Sequence, residues 1–223
     1  KNLESTKARL EAVLDELSKS VESVKRSARL SAAGQLAAGL AHEIRNPLAS
    51  LTGAAGLMKR GHVSEEQMGE CIEIIEVEAT RLNRLLTEFL QFARPRTPRW
   101  QVMEVWPVVE SAISLAQHSA SSGRIELRFE APGTSPEMEG DPELLKQVLL
   151  NLLLNAIQAS RATGSVVVRG EAGDGQVAVS VLDEGPGLTP EEAARVFEPF
   201  FTTKPEGTGL GLAVARAIAE QHG

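Results

Sequence analysis

The stretch LAHEIRNPLAS, residues 40–50, sets His42, Glu43 and Asn46 in an otherwise apolar helical pattern. An imidazole changes charge near neutral pH, so it is the first candidate for chemistry. Next to it, Pro47 lacks the N–H that would bond the carbonyl of residue 43 and clashes with that carbonyl, at ~3 kcal/mol in a helix interior. The helix is expected to kink or loosen there, beside the histidine. In NLLLN, Asn151 and Asn155 stand at i and i+4 on one helix face. A neutral amide oxygen suits Mg²⁺, which takes few protein ligands beside phosphates and water; two polar residues facing solvent would show the same spacing. In DEGPGL, Asp183 directly follows a strand and could accept from an exocyclic amine such as that of adenine. Gly185 and Gly187 leave room for a close ligand, or simply make a turn. Lys204 precedes GTGLGL, where Gly207, Thr208, Gly209, Leu210 and Gly211 lead into a helix. One positive charge and the free N–H groups of a helix start attract phosphate. Glycine-rich turns alone are weak signals. The ordered set of two asparagines, Asp-x-Gly-x-Gly, Phe-Phe-x-x-Lys and Gly-x-Gly-x-Gly is specific, and the chain has no Gly-Lys-Ser/Thr P-loop.

These groups need elements to hold them. Residues 1–30 carry a heptad stripe, with Leu3, Leu10, Leu17 and Val24 on one seam and Lys7, Leu14, Val21 and Ala28 on the other. That predicts a parallel coiled coil, against the plainer alternative of a helix packed on its own domain. Past residue 31 the stripe shifts to Leu36, Leu40, Ile44, Leu48, Leu51, Ala55 and Met58. Two residues along a helix is ~200° of rotation, so the shift turns His42 toward solvent. Gly61 ends this helix, and SEEQ at residues 64–67 opens a second as a capping box. The second stripe is Met68, Cys71/Ile72, Ile75, Ala79, Leu82, Leu85/Leu86, Phe89 and Phe92, closed off by Pro95 and Pro98. Two such helices cannot bury both stripes alone; two copies would form a four-helix bundle. Beyond residue 100 the pattern is mixed α/β: a strand at 102–105, a helix at 107–121 and a strand in RIELRFE. A helix follows with Asp141 as N-cap and Pro142 at N1, then a hairpin around AGDG and a last helix at 209–222.

Composition narrows the classes. Net charge is −7, which argues against a generic nucleic-acid surface. Aromatics are 4% with no tyrosine, so the cores must be built from Leu, Val, Ile and Ala. The single cysteine, Cys71, cannot form an internal disulfide and fits a core position in a reducing compartment. No apolar run approaches the ~18 residues of a membrane span. The chain starts at Lys1 inside a helical pattern, which suggests a cytoplasmic fragment of a protein whose upstream sensor or membrane domain is not in this sequence.

Together the motifs resemble a known family. NLLLNA, DEGPGL, VFEPFFTTK and GTGLGL are similar to the N, G1, F and G2 boxes of the GHKL (Bergerat) ATP-binding domain shared by histidine kinases, Hsp90, DNA gyrase and MutL. LAHEIRNPL resembles the H box of sensor histidine kinases, and FLQFARP is similar to the nitrogen-regulation type. The resemblance covers residues 30–223. It implies a coiled-coil signalling helix at 1–30, a dimerisation and phosphotransfer hairpin at 31–95, a hinge at 96–100 and a catalytic α/β domain at 101–223. The family's closing strands would lie beyond AEQHG. His42 would be the phospho-acceptor, Glu43 would accept a hydrogen bond from its ring, and Asn46 would position a water or the partner's phosphoryl group. Asn155 would coordinate Mg²⁺ with Asn151 beside it, and Asp183 would recognise adenine. Lys204 and the backbone of residues 207–211 would hold phosphates. Phe197, Phe200 and Phe201 would anchor a lid over 188–206. The implied protein is a homodimer that uses ATP and Mg²⁺ and serves a response regulator receiver domain, with no nucleic-acid partner. Two other readings share the nucleotide motifs: an ATPase driving a mechanical clamp, and a nucleotide-dependent conformational scaffold. An acid-labile, heat-stable label from the γ-phosphate separates a phosphohistidine enzyme from both.

Overall fold

The structure, a computed structural model, describes residues 9, 13, 16, 37–60, 63–93, 96–123, 125–160, 163–204 and 207–222. The expected coiled coil lies outside these, apart from positions 9, 13 and 16, which are helical, and so does Gly61. The chain divides into two compact units, Lys1–Pro95 and Arg96–Gly223.

Among the described residues of the first unit, α1 (Ala37–Lys59) and α2 (Glu65–Ala93) form a helical hairpin. The turn is stopped as the sequence predicts: the Ser64 N–H donates to Gln67 Oε1 at 3.1 Å, and the Gln67 N–H donates to Ser64 Oγ at 3.2 Å. The covered face of α2 is Met68, Cys71, Ile75, Leu82, Leu85, Phe89 and Phe92, as expected, with Glu78 also half-buried in that row. Ile72, Ala79 and Leu86 are exposed. The stripe of α1 differs from the expected one by one position in places. Pro47 and Ala54 are buried, and Leu48 and Ala55 are exposed. A hairpin with one partner buries a narrow a/d seam of alternating three- and four-residue steps, through 40, 44, 47, 51, 54 and 58, and not the broader band. The helix is continuous across Pro47, whose ring is fully buried.

The second unit is α/β. A two-stranded antiparallel sheet pairs β1 (Gln101–Glu104) with β3 (Glu137–Gly140). A three-stranded sheet has the order β2-β4-β5, with β2 (Glu126–Glu130) parallel to β4 (Ser165–Gly173) and β4 antiparallel to β5 (Gln176–Leu182). The β4–β5 turn places Asp174 at φ 51 and Gly175 at φ 74, the double left-handed pair of a tight hairpin. Val105 was expected in the first strand but opens α3 (Val105–Gly123) instead. Its N–H donates to Pro136 O at 3.1 Å, and the Ser135 hydroxyl oxygen accepts from the Trp106 N–H at 2.9 Å, satisfying the helix start. Ala112, Ala116 and Ala120 have no exposed surface, so α3 packs closely on α4 (Pro142–Ala159). The core between helices and sheet adds Trp106, Val109, Leu149, Leu153, Ile157, Val166 and Val168. Two short elements were not anticipated: β3, whose EMEG sequence has little strand character, and α5 (Pro190–Arg195). The last helix, α6 (Gly211–His222), begins two residues later than expected.

Candidate functional site

On α1 the side chain of His42 is exposed, and Asn46 is exposed one turn further on. Glu43 lies 3.6 Å from the Arg81 guanidinium of α2, so its carboxylate is engaged across the hairpin and not by the neighbouring ring. Arg81 is a site neighbour that sequence reasoning missed; nothing in a local motif marks a cation 38 residues away in the chain.

In the second unit Asp141 fixes the start of α4, with Oδ1 accepting from the N–H groups of Glu143 at 3.0 Å and Leu144 at 3.1 Å. Its Oδ2 accepts from the Arg99 N–H at 2.8 Å, tying the incoming chain to the same cap. The Asp141 N–H in turn donates to His222 Nε2 at 3.1 Å, and His222 packs against Trp100 with ring centroids 5.1 Å apart. From this anchored start, α4 presents Asn151, Asn155 and Gln158. Asn151 Nδ2 donates to Gly211 O at 3.0 Å, joining α4 to the first turn of α6. Lys204 Nζ donates to Asn155 Oδ1 at 3.3 Å, Asn155 O at 3.4 Å and Gln158 Oε1 at 3.0 Å. Burial pushes the Lys204 ammonium below the usual lysine range, and the charge of Asp183 opposes that shift. Asp183, exposed at the end of β5, accepts from the Gly185 N–H at 2.8 Å. A Cβ on Gly185 would come within 2.6 Å of that oxygen and 3.0 Å of Ala159, so the tight turn requires glycine.

The loop residues 196–204 and 207–210 are built around Gly209. It sits at φ 66, where a Cβ would meet the Phe200 backbone at 2.4 Å. The Phe200 N–H donates to Gly209 O at 2.9 Å. The Gly207 N–H donates to Lys204 O at 3.2 Å, and the Leu210 N–H to the buried Thr208 hydroxyl at 3.3 Å. Gly187, at φ 74, faces open space, so glycine is favoured there by backbone conformation alone. Of the phenylalanines expected to anchor a lid, Phe201 lies under Arg195 at 4.5 Å and Phe197 under Arg216 at 5.7 Å. The segment expected as lid contains α5, started by a full capping box of Thr189 and Glu192. The sequence TPEE carries that signal, with Thr, Pro and Glu at the N-cap, N1 and N3 positions. The structure thus brings together Asn151, Asn155, Asp183, Lys204 and residues 207–211, and adds Gln158. His42, Glu43 and Asn46 are gathered on the other unit.

Comparison with known proteins points the same way. Residues 140–223 match the family described as Histidine kinase-, DNA gyrase B-, and HSP90-like ATPase. Residues 32–98 match the His Kinase A (phospho-acceptor) domain. The chain is 42% identical over 202 residues to the sensor histidine kinase ZraS of Escherichia coli (strain K12), covering 91% of this chain and 43% of ZraS. It is 37% identical over 202 residues to sporulation kinase E of Bacillus subtilis (strain 168), covering 90% of this chain and 27% of that kinase. The chain therefore spans less than half the length of these curated relatives. Among solved structures, histidine kinase ThkA in complex with response regulator protein TrrA matches with a TM-score of 0.80 at 33% identity. That match covers 93% of this chain and 60% of ThkA. The catalytic domain of ThkA alone matches with a TM-score of 0.52 at 33% identity, over 56% of this chain and 82% of that domain.

Proposed function

This chain belongs to the histidine kinases, and from that premise we propose that it phosphorylates its own His42 from Mg²⁺·ATP and passes the phosphoryl group to an aspartate of a response regulator. The observation that carries the reading is the Lys204 ammonium set on Asn155 within the field of Asp183, with Asn151 of the same helix face bonded to the start of α6, in a chain that also exposes a histidine on a helix. Asn155 Oδ1 already faces a cation, the Lys204 ammonium at 3.3 Å, so this hard oxygen donor fits a magnesium ion that takes its other ligands from phosphates and water. When bound, the metal neutralises charge on the phosphate oxygens.

The rest is done by the chain. Asp183 accepts from the adenine amine, while Lys204 and the amides at the start of α6 hold phosphates. A ring nitrogen of His42 forms a bond to the γ-phosphorus as the bond from that phosphorus to the ADP oxygen breaks. Glu43 takes the hydrogen bond from the other ring nitrogen once its carboxylate turns from Arg81, which leaves the attacking lone pair directed outward. Asn46 positions a water for hydrolysis of the regulator's acyl phosphate, giving the chain a phosphatase activity as well. Residues 31–95 act as the phosphotransfer hairpin and 101–223 as the ATP domain. The apolar side chains left exposed on the hairpin, among them Leu48 and Leu57 on α1 and Ile72, Ile74, Val77, Leu86 and Leu90 on α2, support pairing of two copies into a bundle. Incubation with γ-labelled ATP tests the reading. The wild-type chain should take up an acid-labile label, and His42→Gln should take up none while still binding ADP. Equal labelling of the two chains would rule out His42 as the acceptor.

A further inference from the structure

Gln158 appears in none of the motifs that brought the other residues to attention, yet it makes the shortest contact around Lys204 Nζ, 3.0 Å against 3.3 and 3.4 Å for the two Asn155 oxygens. Asn155 and Gln158 lie three residues apart on α4 and so share one face. Three neutral oxygens hold the ammonium, and one of them, Asn155 Oδ1, is also the oxygen that a divalent ion would take. Both cations cannot use it at once, because two positive charges at that separation repel. We propose that Gln158 is a positioning residue that parks the Lys204 ammonium on Asn155 in the nucleotide-free protein, so that metal and nucleotide enter by displacing Lys204 toward the phosphates. The inference rests on the reading of this site as a Mg²⁺·nucleotide cradle.

The loop is built for such an exchange. The Lys204 N–H donates to Thr202 Oγ1 at 3.1 Å and its carbonyl accepts from Gly207, so the main chain is held. The side chain, on its flexible four-carbon stem, is free to swing between two sets of acceptors. With Lys204 parked, Asn155 is not an open metal ligand, and phosphate oxygens are what draw the ammonium away. The exchange therefore couples metal entry to phosphate entry.

Binding of a fluorescent ADP analogue to the whole chain, titrated against Mg²⁺, reads the exchange. Gln158 is exposed, so Gln158→Leu should fold normally, with an unchanged thermal midpoint as the control. It should lower the Mg²⁺ concentration for half-maximal binding roughly threefold to tenfold, the factor expected for one hydrogen bond that no longer holds the lysine back. In a Lys204→Met chain, which binds the analogue more weakly overall, the same Gln158 substitution should leave the Mg²⁺ requirement where it was, because there is no ammonium left to hold. An unchanged or raised requirement in Gln158→Leu, or the same shift in both backgrounds, overturns the proposal and makes Gln158 an idle surface residue or a metal ligand. Wild-type binding with no Mg²⁺ dependence at all would instead sink the cradle reading itself, and the proposal with it.

Discussion

Asp183 uses Oδ1 to hold the Gly185 N–H. An asparagine could keep that local bond through its own Oδ1, so Asp183→Asn should preserve the turn while losing a charged acceptor for adenine. ADP affinity should fall by about 1.5–3 kcal/mol, or tenfold and more, measured by calorimetric titration; unchanged affinity would reduce Asp183 to a turn residue. Gly209→Ala meets both a left-handed backbone and the Phe200 main chain, so it should disorganise the 196–210 loop and weaken ADP binding more than it lowers the melting temperature. Asn46→Ala should keep most His42 labelling and lose most regulator dephosphorylation, since an amide can hold a water but is no base at neutral pH. A variant that dephosphorylates the regulator as fast as wild type would leave Asn46 with a purely structural part. Residue types and local spacing made His42, Asn155, Asp183 and Lys204 legible in the sequence. Arg81 and Gln158 were not, because their partners are brought near only by folding: Lys204 and Gln158 are 46 residues apart.

Helix ends carry their own signals, and Asp141 shows how far these reach. Burial by itself would raise its carboxyl; the N–H groups of Arg99, Leu144 and Glu143, with Arg96 nearby, outweigh that and hold it below the usual carboxylate range. A depressed folded value means the stabilisation is complete above the unfolded value of about 3.9 and fades as pH drops through the lower folded one. The difference in urea-derived stability between wild type and Asp141→Asn should therefore be largest above about pH 4 and narrow below it. Asp141→Ala, which also loses the cap, should cost about 1–2 kcal/mol. The cap at Asp141 and the box at Ser64 could be read from the sequence because each stands before a long apolar helix. The same box at Thr189 was hidden by Gly185, Pro186 and Gly187 just before it, which read as a turn. Strand β3 was hidden because its one inward apolar residue, Met138, makes no alternating pattern, and its pairing with β1 exists only in three dimensions.

Two compact units in one chain should unfold in two steps. A ligand that binds one of them raises only that unit's transition, by mass action. In a calorimetric scan, Mg²⁺·ADP should move one peak upward, and Ser64→Ala should lower the other by the amount a lost cap allows, about 1 kcal/mol. If the nucleotide moved both peaks together, the chain would behave as one cooperative body. The mixed α/β texture after residue 100 and the heptad-like hairpin before it are visible in the sequence because periods of two and of 3.6 residues leave different apolar patterns.

The His222–Trp100 contact gives the molecule an optical handle. The chain has two tryptophans. Trp106 is buried, edge-on to Phe129, and its ring fills the space over Gly170, so its emission should stay blue-shifted and constant. Trp100 is 48% exposed and has the end of α6 as its neighbour. Fraying of that helix end would expose more of the Trp100 ring to water and move its emission to the red, while the signal from Trp106 stays fixed. A Trp106→Phe chain would then report, by colour alone, whether the last turn of α6 is seated on the segment around Trp100.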